Sequence, residues 1–500
     1  MASWLWNPRV SLWSLWVLLL LRVRAANTEE CPDFFAYSQT AHRPLSNGTH
    51  RLGYQRPSPK CRTFHSPVVE DVLGNMSTVI RDPDLYRLFQ NTWPNTLDTA
   101  IRWKGVAANN TDEELTFIIT GDINAMWLRD SANQMQSYLP VLRADPGPDS
   151  LASLYRGVIN LQARYLLTSP FCNSFQAPDE SGLPPAYNEW AAHDRVTPPY
   201  NESRVFECKY ELDSLAAFLQ ISTNYYDATA DLAFFGRFQW VAAVQAVLNT
   251  ATAMMAPTAG PDDLPLEPPY RFTRPTSRVT ETLSHDGVGS PVANGTGLIR
   301  SGFRPSDDAT VFQLLIPANM MFSRFLTSTA AIAARLSTAP PGLAARMRDL
   351  GASLGAAITA HGVVRDAVAG RPVFAYEVDG RGGAVVMDDA NVPSLLAAPL
   401  IGLVGRDDEV YRNTRAAVLG GADTAGNPYY MRGRNLSAVG SPHTGGAYAW
   451  PMASVVRVLT SNDDVEIAGE VRQLLGSTDG LGLMHEGVAA SNPSDWTRPW

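Results

Sequence analysis

Asp307 and Asp308 stand side by side behind Arg304-Pro305-Ser306, and Glu486 stands between His485 and Gly487. Hydrolytic chemistry can use such groups: one carboxyl protonates a leaving group, and a second activates water or attacks the substrate, as in the two-carboxyl cleavage of glycosides. Each has a plainer explanation. An acid in the first turn of a helix interacts favourably with the helix dipole, and a loop glutamate is commonly just solvated. The first accounts for one acid better than for two behind an arginine and a proline. The second accounts poorly for a glutamate beside His485 and before Trp496-Thr497-Arg498-Pro499-Trp500. Spacing does not separate Asp307 from Asp308.

A second cluster lies at residues 121–130, Gly-Asp-Ile-Asn-Ala-Met-Trp-Leu-Arg-Asp. Tryptophan stacks on sugar faces, though it is more often core. The flanking Arg129 and Asp130 favour a ligand role for Trp127 over Trp450 and Trp496. Tyr210 and Asp213 open a helix, where a cap is the simple reading. Asp388, Asp389 and Asn391 either bond sugar hydroxyls or form a turn. His443, in Ser-Pro-His-Thr-Gly-Gly, is either a structural donor or a hydroxyl contact.

These residues need elements to carry them. Residues 115–120 read as a strand that leads into a helix over 131–139, with Asp130 and Ser131 in its cap region. Asp82 and Pro83 open a helix over 82–91. A helix follows at 150–167. Helical pairs come next: 211–228 with 231–255, 308–337 with 343–360, 392–403 with 409–419, and 447–459 with 465–475. Residues 173–201 are loop, 257–275 a Pro-rich surface insertion, and 373–379 a short strand. Short links favour antiparallel neighbours. Strands do not alternate with helices, so a closed ring of helical hairpins fits better than a parallel sheet.

Six motifs carry a resemblance. They are the 121–130 stretch, Lys209-Tyr210-Glu211-Leu212-Asp213-Ser214-Leu215, Gly302-Phe303-Arg304-Pro305-Ser306-Asp307-Asp308, Met387-Asp388-Asp389-Ala390-Asn391, Gly440-Ser441-Pro442-His443-Thr444-Gly445 and Met484-His485-Glu486-Gly487. Together, in this order, they resemble glycoside hydrolase family 125, the metal-independent exo-acting α-1,6-mannosidases, in a fungal-type secreted form. The resemblance runs from residue 67 to the C-terminus. It implies a mainly α fold, the (α/α)6 toroid, with a few short strands near the active-site mouth. It implies a general acid from the pair Asp307 and Asp308, of which Asp308 is preferred, Glu486 as general base with a water beyond it, and therefore inversion. The substrate implied is a mannose-containing glycan. Its contacts would be Trp127, Arg129, Asp130, Tyr210, Asp213, Arg304, Asp389, Asn391, His443 and His485, with no metal or cofactor. Family members continue past Trp500 into an apolar helix that closes the ring, so the chain is expected to be truncated there. The alternatives are a Ca²⁺- or Zn²⁺-dependent mannosidase and a non-catalytic mannose-binding homologue. Neither an Asp-x-Asp-x-Asp-Gly loop nor a Cys/His cluster supports the first, and the surviving acids speak against the second.

The bulk properties agree. Net charge is −9 and the isoelectric point about 5.4, with no basic block, which disfavours nucleic-acid binding. Residues 1–26 read as a signal peptide. Their apolar run, 10–21, is too short to span a bilayer comfortably, so no stable membrane span is expected. An uncleaved anchor in the Golgi or endoplasmic reticulum is the alternative to secretion. The four cysteines are expected to pair as Cys31–Cys61 and Cys172–Cys208, each pair bracketing one loop-rich stretch. Glycosylation sequons at Asn47, Asn75, Asn109, Asn201, Asn294 and Asn435 point to the same compartment. Residues 27–66 are expected to lie irregularly on a catalytic domain of 67–500. The sequence does not set an oligomeric state.

Overall fold

Which helices lie inside the ring is visible in how they are buried. The computed structural model describes residues 31–499 apart from 261, 263 and 421–425; the expected signal peptide lies outside the described residues. In chain order the principal helices are α1 (Pro67–Val79), α2 (Pro83–Thr92), α3 (Leu128–Met135), α4 (Leu151–Thr168), α5 (Leu212–Thr229), α6 (Trp240–Ala253), α7 (Ile316–Ala333), α8 (Leu343–His361), α9 (Ala398–Ile401), α10 (Glu409–Val418), α11 (Pro451–Thr460) and α12 (Asp464–Gly476). α5 and α7 are buried nearly all round. α8 buries one stripe, Leu343, Met347, Gly351, Leu354, Ala357 and Ile358, and α10 only Tyr411, Thr414 and Val418. All-round burial suits an inner layer and a single stripe an outer one; α4 is the exception, an outer helix buried nearly all round because the strand Asn110–Ile118 covers its outer face.

The inner helices pack in a row, α3 on α5, α5 on α7, α7 on α9 and α9 on α11. Hairpin partners cover them from outside: α4 on α3, α6 on α5, α8 on α7 and α12 on α11. α2 packs on α12, which brings the start of the ring beside its other end. This is the expected mainly α architecture of an (α/α)6 toroid. One apolar core extends from Val69 to Val456. Because an antiparallel helix separates successive inner helices, their N-termini gather at one mouth. Short antiparallel sheets decorate it: Met126–Trp127 with Ser174–Phe175 and Val205–Glu207, Leu314–Leu315 with Glu377–Val378 and Ala384–Val385, and Tyr448–Ala449 with Val488–Ala489.

The hairpin Ile101–Ala107/Asn110–Ile118 lies on α4. Gly157 makes this possible, since a Cβ there would stand 2.1 Å from Thr116 Oγ1. Asp82 caps α2 as expected, accepting from the N–H groups of Asp84 and Leu85 at 2.9 Å each. Both disulfides form in the expected pairing, Cys31–Cys61 and Cys172–Cys208. The N-terminal segment is tied down through Arg56, whose guanidinium pairs with Asp98 and Glu70. No helix among the described residues is long and apolar enough to cross a membrane.

Several expected boundaries move. α1 precedes the helix read as the first. The helix expected from 308 begins at Ile316, with Pro317 in its first turn, leaving Asp307 and Asp308 in a turn rather than on a helix. The helix expected over 392–403 shrinks to α9, because Asn391, Val392 and Pro393 form a bend instead. The one expected over 231–255 breaks into Leu232–Phe235 and α6. The insertion at 257–275 is not wholly surface: Tyr270, Phe272 and Arg274 are buried.

Candidate active site

The acid pair sits in a tight turn. Arg304 N–H donates to Asp308 O at 2.8 Å, and Asp307 N–H donates to Arg304 O at 2.9 Å. Asp307 has φ +66°, the left-handed region that aspartate tolerates better than most residues. This kink sends two adjacent carboxyls into different surroundings. Buried Glu377 anchors the turn, accepting from Arg304 Nε at 2.6 Å and from the N–H groups of Val311 and Phe312 at 2.9 and 3.0 Å.

Asp307 turns toward α3 and α5. Its Oδ1 accepts from Trp127 Nε1 at 3.3 Å and Asn173 Nδ2 at 3.0 Å. Asn173 Nδ2 also donates to Glu211 Oε1 at 3.1 Å. Arg129 Nη1 lies 2.6 Å from Glu211 Oε2 and 3.3 Å from Asp213 Oδ2, and its Nη2 3.3 Å from Asp130 Oδ1. α3 starts earlier than expected: Trp127 is its N-cap and Asp130 lies in its first turn, so Asp130 pairs with Arg129 instead of capping. Burial pushes Glu211 well above the ordinary carboxylate range. Burial also opposes charge on Asp307, but Lys209, Arg129 and a hydrogen bond with Glu211 outweigh it and hold Asp307 below its usual value. The two shifts are opposed, Glu211 favouring its proton and Asp307 its charge, as two carboxyls in one hydrogen bond should be.

Asp308 turns the other way and is fully buried. Its Oδ1 lies 3.4 Å from His443 Nδ1, while Oδ2 has no hydrogen-bond partner. Burial disfavours the charged imidazole, but Asp308 first, then Asp307 and Glu486, outweigh this and raise His443 to about 9. The imidazolium therefore persists at neutral pH. Asp389, also buried, accepts from Asn391 N and Nδ2 at 3.1 and 3.0 Å and from Ser441 Oγ at 3.1 Å. Burial raises it; Arg304 lowers and Asp308 raises it further, so the three meet at one place.

Glu486 completes the group. Its Oε2 accepts from Thr497 Oγ1 at 2.8 Å and lies 3.5 Å from Arg498 Nε. Arg498 Nη1 reaches Asp122 Oδ2 at 3.0 Å. Glu486, Asp122, Asp307 and Asp130 all favour the charged Arg498. Residues from three distant parts of the chain thus share one electrostatic neighbourhood. Asp307 and Asp130 are crowded by protein on all sides yet remain reachable by solvent, as at the floor of a recess.

Four candidate sugar contacts are placed differently. Tyr210 is buried against Phe171 and Tyr270 and cannot reach the mouth. Asp213 is fully buried beneath Arg129, and burial pushes it to about 6. His485 lies flat on Trp496 with ring centres 4.7 Å apart, and its Nδ1–H donates to Pro499 O at 2.7 Å. It supports the strand-like tail that carries Arg498. Arg304 is buried in its pair with Glu377 and orients the acid turn. Asp388, read as a hydroxyl contact or a turn residue, is the latter: its oxygens accept from Leu395 and Leu396 N–H at 2.8 Å each.

Sequence reasoning gave no role to Asn173, Glu211, Glu377 and Arg498. Glu211 and Arg498 stood inside stretches already singled out, so their neighbours were the available signal. Asn173 and Glu377 carried none. Among the described residues no cluster of three or more His, Cys, Asp or Glu side chains is arranged to hold a metal ion.

The sequence profile of the metal-independent α-mannosidases, GH125, matches residues 82–500. The chain belongs to this family. It is 43% identical over 495 residues to the meiotically up-regulated gene 157 protein of Schizosaccharomyces pombe, covering 98% of this chain and 94% of the relative. A Streptococcus pneumoniae metal-independent α-mannosidase, solved in a non-productive complex with α-1,6-mannobiose, matches with a TM-score of 0.74 at 31% identity, over 87% of this chain and 95% of that one. The GH125 protein described here is therefore a glycosidase acting on α-mannosides, and the mouth of its toroid is the candidate active site.

Proposed function

We propose that this α-mannosidase removes terminal mannose, α-1,6-linked units foremost, from glycans by a single inverting displacement that uses no metal. The observation that carries this reading is the split between the adjacent acids. Asp308 is fully buried behind His443, whereas Asp307 opens to the mouth and shares a hydrogen bond with Glu211. A glycosidic oxygen can approach only the latter. Asp307 is thus the proton donor, in place of the Asp308 preferred from sequence, and Glu211 holds the shared proton until the sugar arrives. Asp308 and His443 brace the turn from behind. Thr497 and Arg498 both engage Glu486 through Oε2, which leaves Oε1 to take a proton from water. Inversion places that water between the carboxyls and needs a separation of about 6.5–9.5 Å. The preference for the α-1,6 linkage is supported by the family resemblance and by the ligand of the pneumococcal relative. Proton NMR of α-1,6-mannobiose hydrolysis tests the proposal. β-Mannose should appear first, and Glu486→Gln should lose about 10²–10⁴-fold in rate. α-Mannose as first product, or an unimpaired Glu486→Gln, overturns it.

We further propose that the protein works in the secretory pathway. Two disulfides and sequon asparagines exposed at Asn47, Asn75, Asn109, Asn201 and Asn294 support this. A gel shift on enzymatic deglycosylation of the protein from its native host is the expected result; a cytosolic, unshifted protein refutes it.

A further inference from the structure

Residues 177–203 leave the mouth and return to it. Gln176 N–H donates to Arg204 O at 3.0 Å, closing the base of the excursion beside the sheet that carries Trp127. The middle of the loop is pinned back to the same sheet. Asn188 Nδ2 donates to Phe206 O at 3.1 Å, and Asn188 Oδ1 accepts from Trp190 N and Ala191 N at 3.1 and 3.3 Å. Ala191 is buried, and Asp194 is clamped by Arg274 through two contacts of 2.7 Å. The Phe206 ring meets the Trp127 ring edge-on, with centroids 5.5 Å apart. Trp127 in turn donates to Asp307. A short chain of contacts therefore runs from the acid to this rim.

On this tethered backbone two large rings face water. Tyr187 is 82% exposed and Trp190 72%. Among the described residues the other large apolar side chains exposed to this degree are aliphatic, and Phe35, at 41%, is far less open. Keeping a tryptophan and a tyrosine three residues apart in solvent costs the burial free energy that such rings usually gain. Their amphipathic faces suit the C–H faces of a pyranose, with polar edges left for hydroxyls and water. Because the enzyme takes a terminal sugar into the recess, the remainder of the glycan must pass over the rim.

We propose, resting on the function assigned above, that Tyr187 and Trp190 form a stacking platform for the mannose units on the leaving-group side of the scissile bond. The site thereby prefers extended mannooligosaccharides to mannosides with a small aglycone. Since the rings are exposed and the backbone bonds stay, Trp190→Ala and Tyr187→Ala should fold normally.

The test is binding of an α-1,6-linked mannotetraose and of methyl α-mannoside, by calorimetry, to the full chain carrying Glu486→Gln, with and without Trp190→Ala or Tyr187→Ala. Loss of one stacked ring should weaken tetrasaccharide binding about five- to tenfold and leave methyl α-mannoside unchanged. In the otherwise native enzyme, Trp190→Ala should raise KM for the tetrasaccharide by a similar factor and spare kcat on an aryl mannoside. Unchanged tetrasaccharide affinity in both ring variants overturns the platform. Failure of the native enzyme to cleave any mannoside would overturn the assigned function instead, and the binding difference would still decide the platform.

Discussion

His443 offers the sharpest check on the electrostatics of the mouth. Its imidazole lies 3.4 Å from Asp308 Oδ1 and is raised from 6.5 to about 9. At about 1.4 kcal/mol per pKa unit, this corresponds to about 3 kcal/mol of net preference for the imidazolium. The ring is only 25% exposed, so solvent screening removes little of it. The sign follows from the raised value in the folded state. The contribution is fully present below about pH 6.5, where unfolded histidine also binds its proton, and is lost as pH rises through about 9. With histidines labelled at Cε1, NMR should find one of the 8 rings titrating near 9, absent from His443→Gln. Asp308→Asn removes the largest favourable contribution and should move that titration clearly downward. Denaturant unfolding should show native stability falling between pH 6.5 and 9, with the fall much reduced in His443→Gln. A His443 that titrates near 6.5, or one indifferent to Asp308→Asn, would refute the argument that these carboxylates converge on the ring.

Asp307→Asn should slow hydrolysis of mannobiose by about 10²–10⁴-fold and hurt an activated aryl mannoside much less, because a good leaving group needs little protonation; paired kcat/KM values check this. Arg129→Met leaves Glu211 and Asp213 buried without their cation, so it should cost about 3–5 kcal/mol in denaturant unfolding. Exhaustive EDTA treatment should leave activity on an aryl α-mannoside unchanged, and a loss restored by Ca²⁺ would count against the metal-free mechanism.

Much of the architecture was legible in the chain. Residues 150–167, 343–360 and 465–475 carry apolar residues at helical spacing, and each forms a helix within two residues of the expected limits. Asp82-Pro83 declared its helix start through local capping chemistry, which needs no tertiary partner. The cysteine pairing was legible because each bond closes a local loop. Where helices were misread, the cause was tertiary. Residues 308–315 have enough apolar character to extend α7. Instead Val311 and Phe312 give their backbone N–H groups to Glu377, whose carboxylate lies far away in sequence, and Ala309 and Thr310 give theirs to Thr280 O and Gly302 O.

The candidate site divides along the same line. Residue types and their order along the chain determined that Trp127, Arg129, Asp307, Asp308, His443 and Glu486 deserved attention, and they tied the chain to its family. Only the folded ring decided which of two adjacent aspartates opens to the mouth. One left-handed residue sends Asp307 to Trp127, Asn173 and Glu211, and Asp308 to His443. It also decided that Tyr210 and His485 face inward, and that Asn173, Glu377 and Arg498 hold the acids in place. Periodicity and capping are short-range and survive in the linear text. Burial, charge sharing and carboxylate pairing depend on what distant segments bring to within a few ångströms, and no spacing along one chain records that.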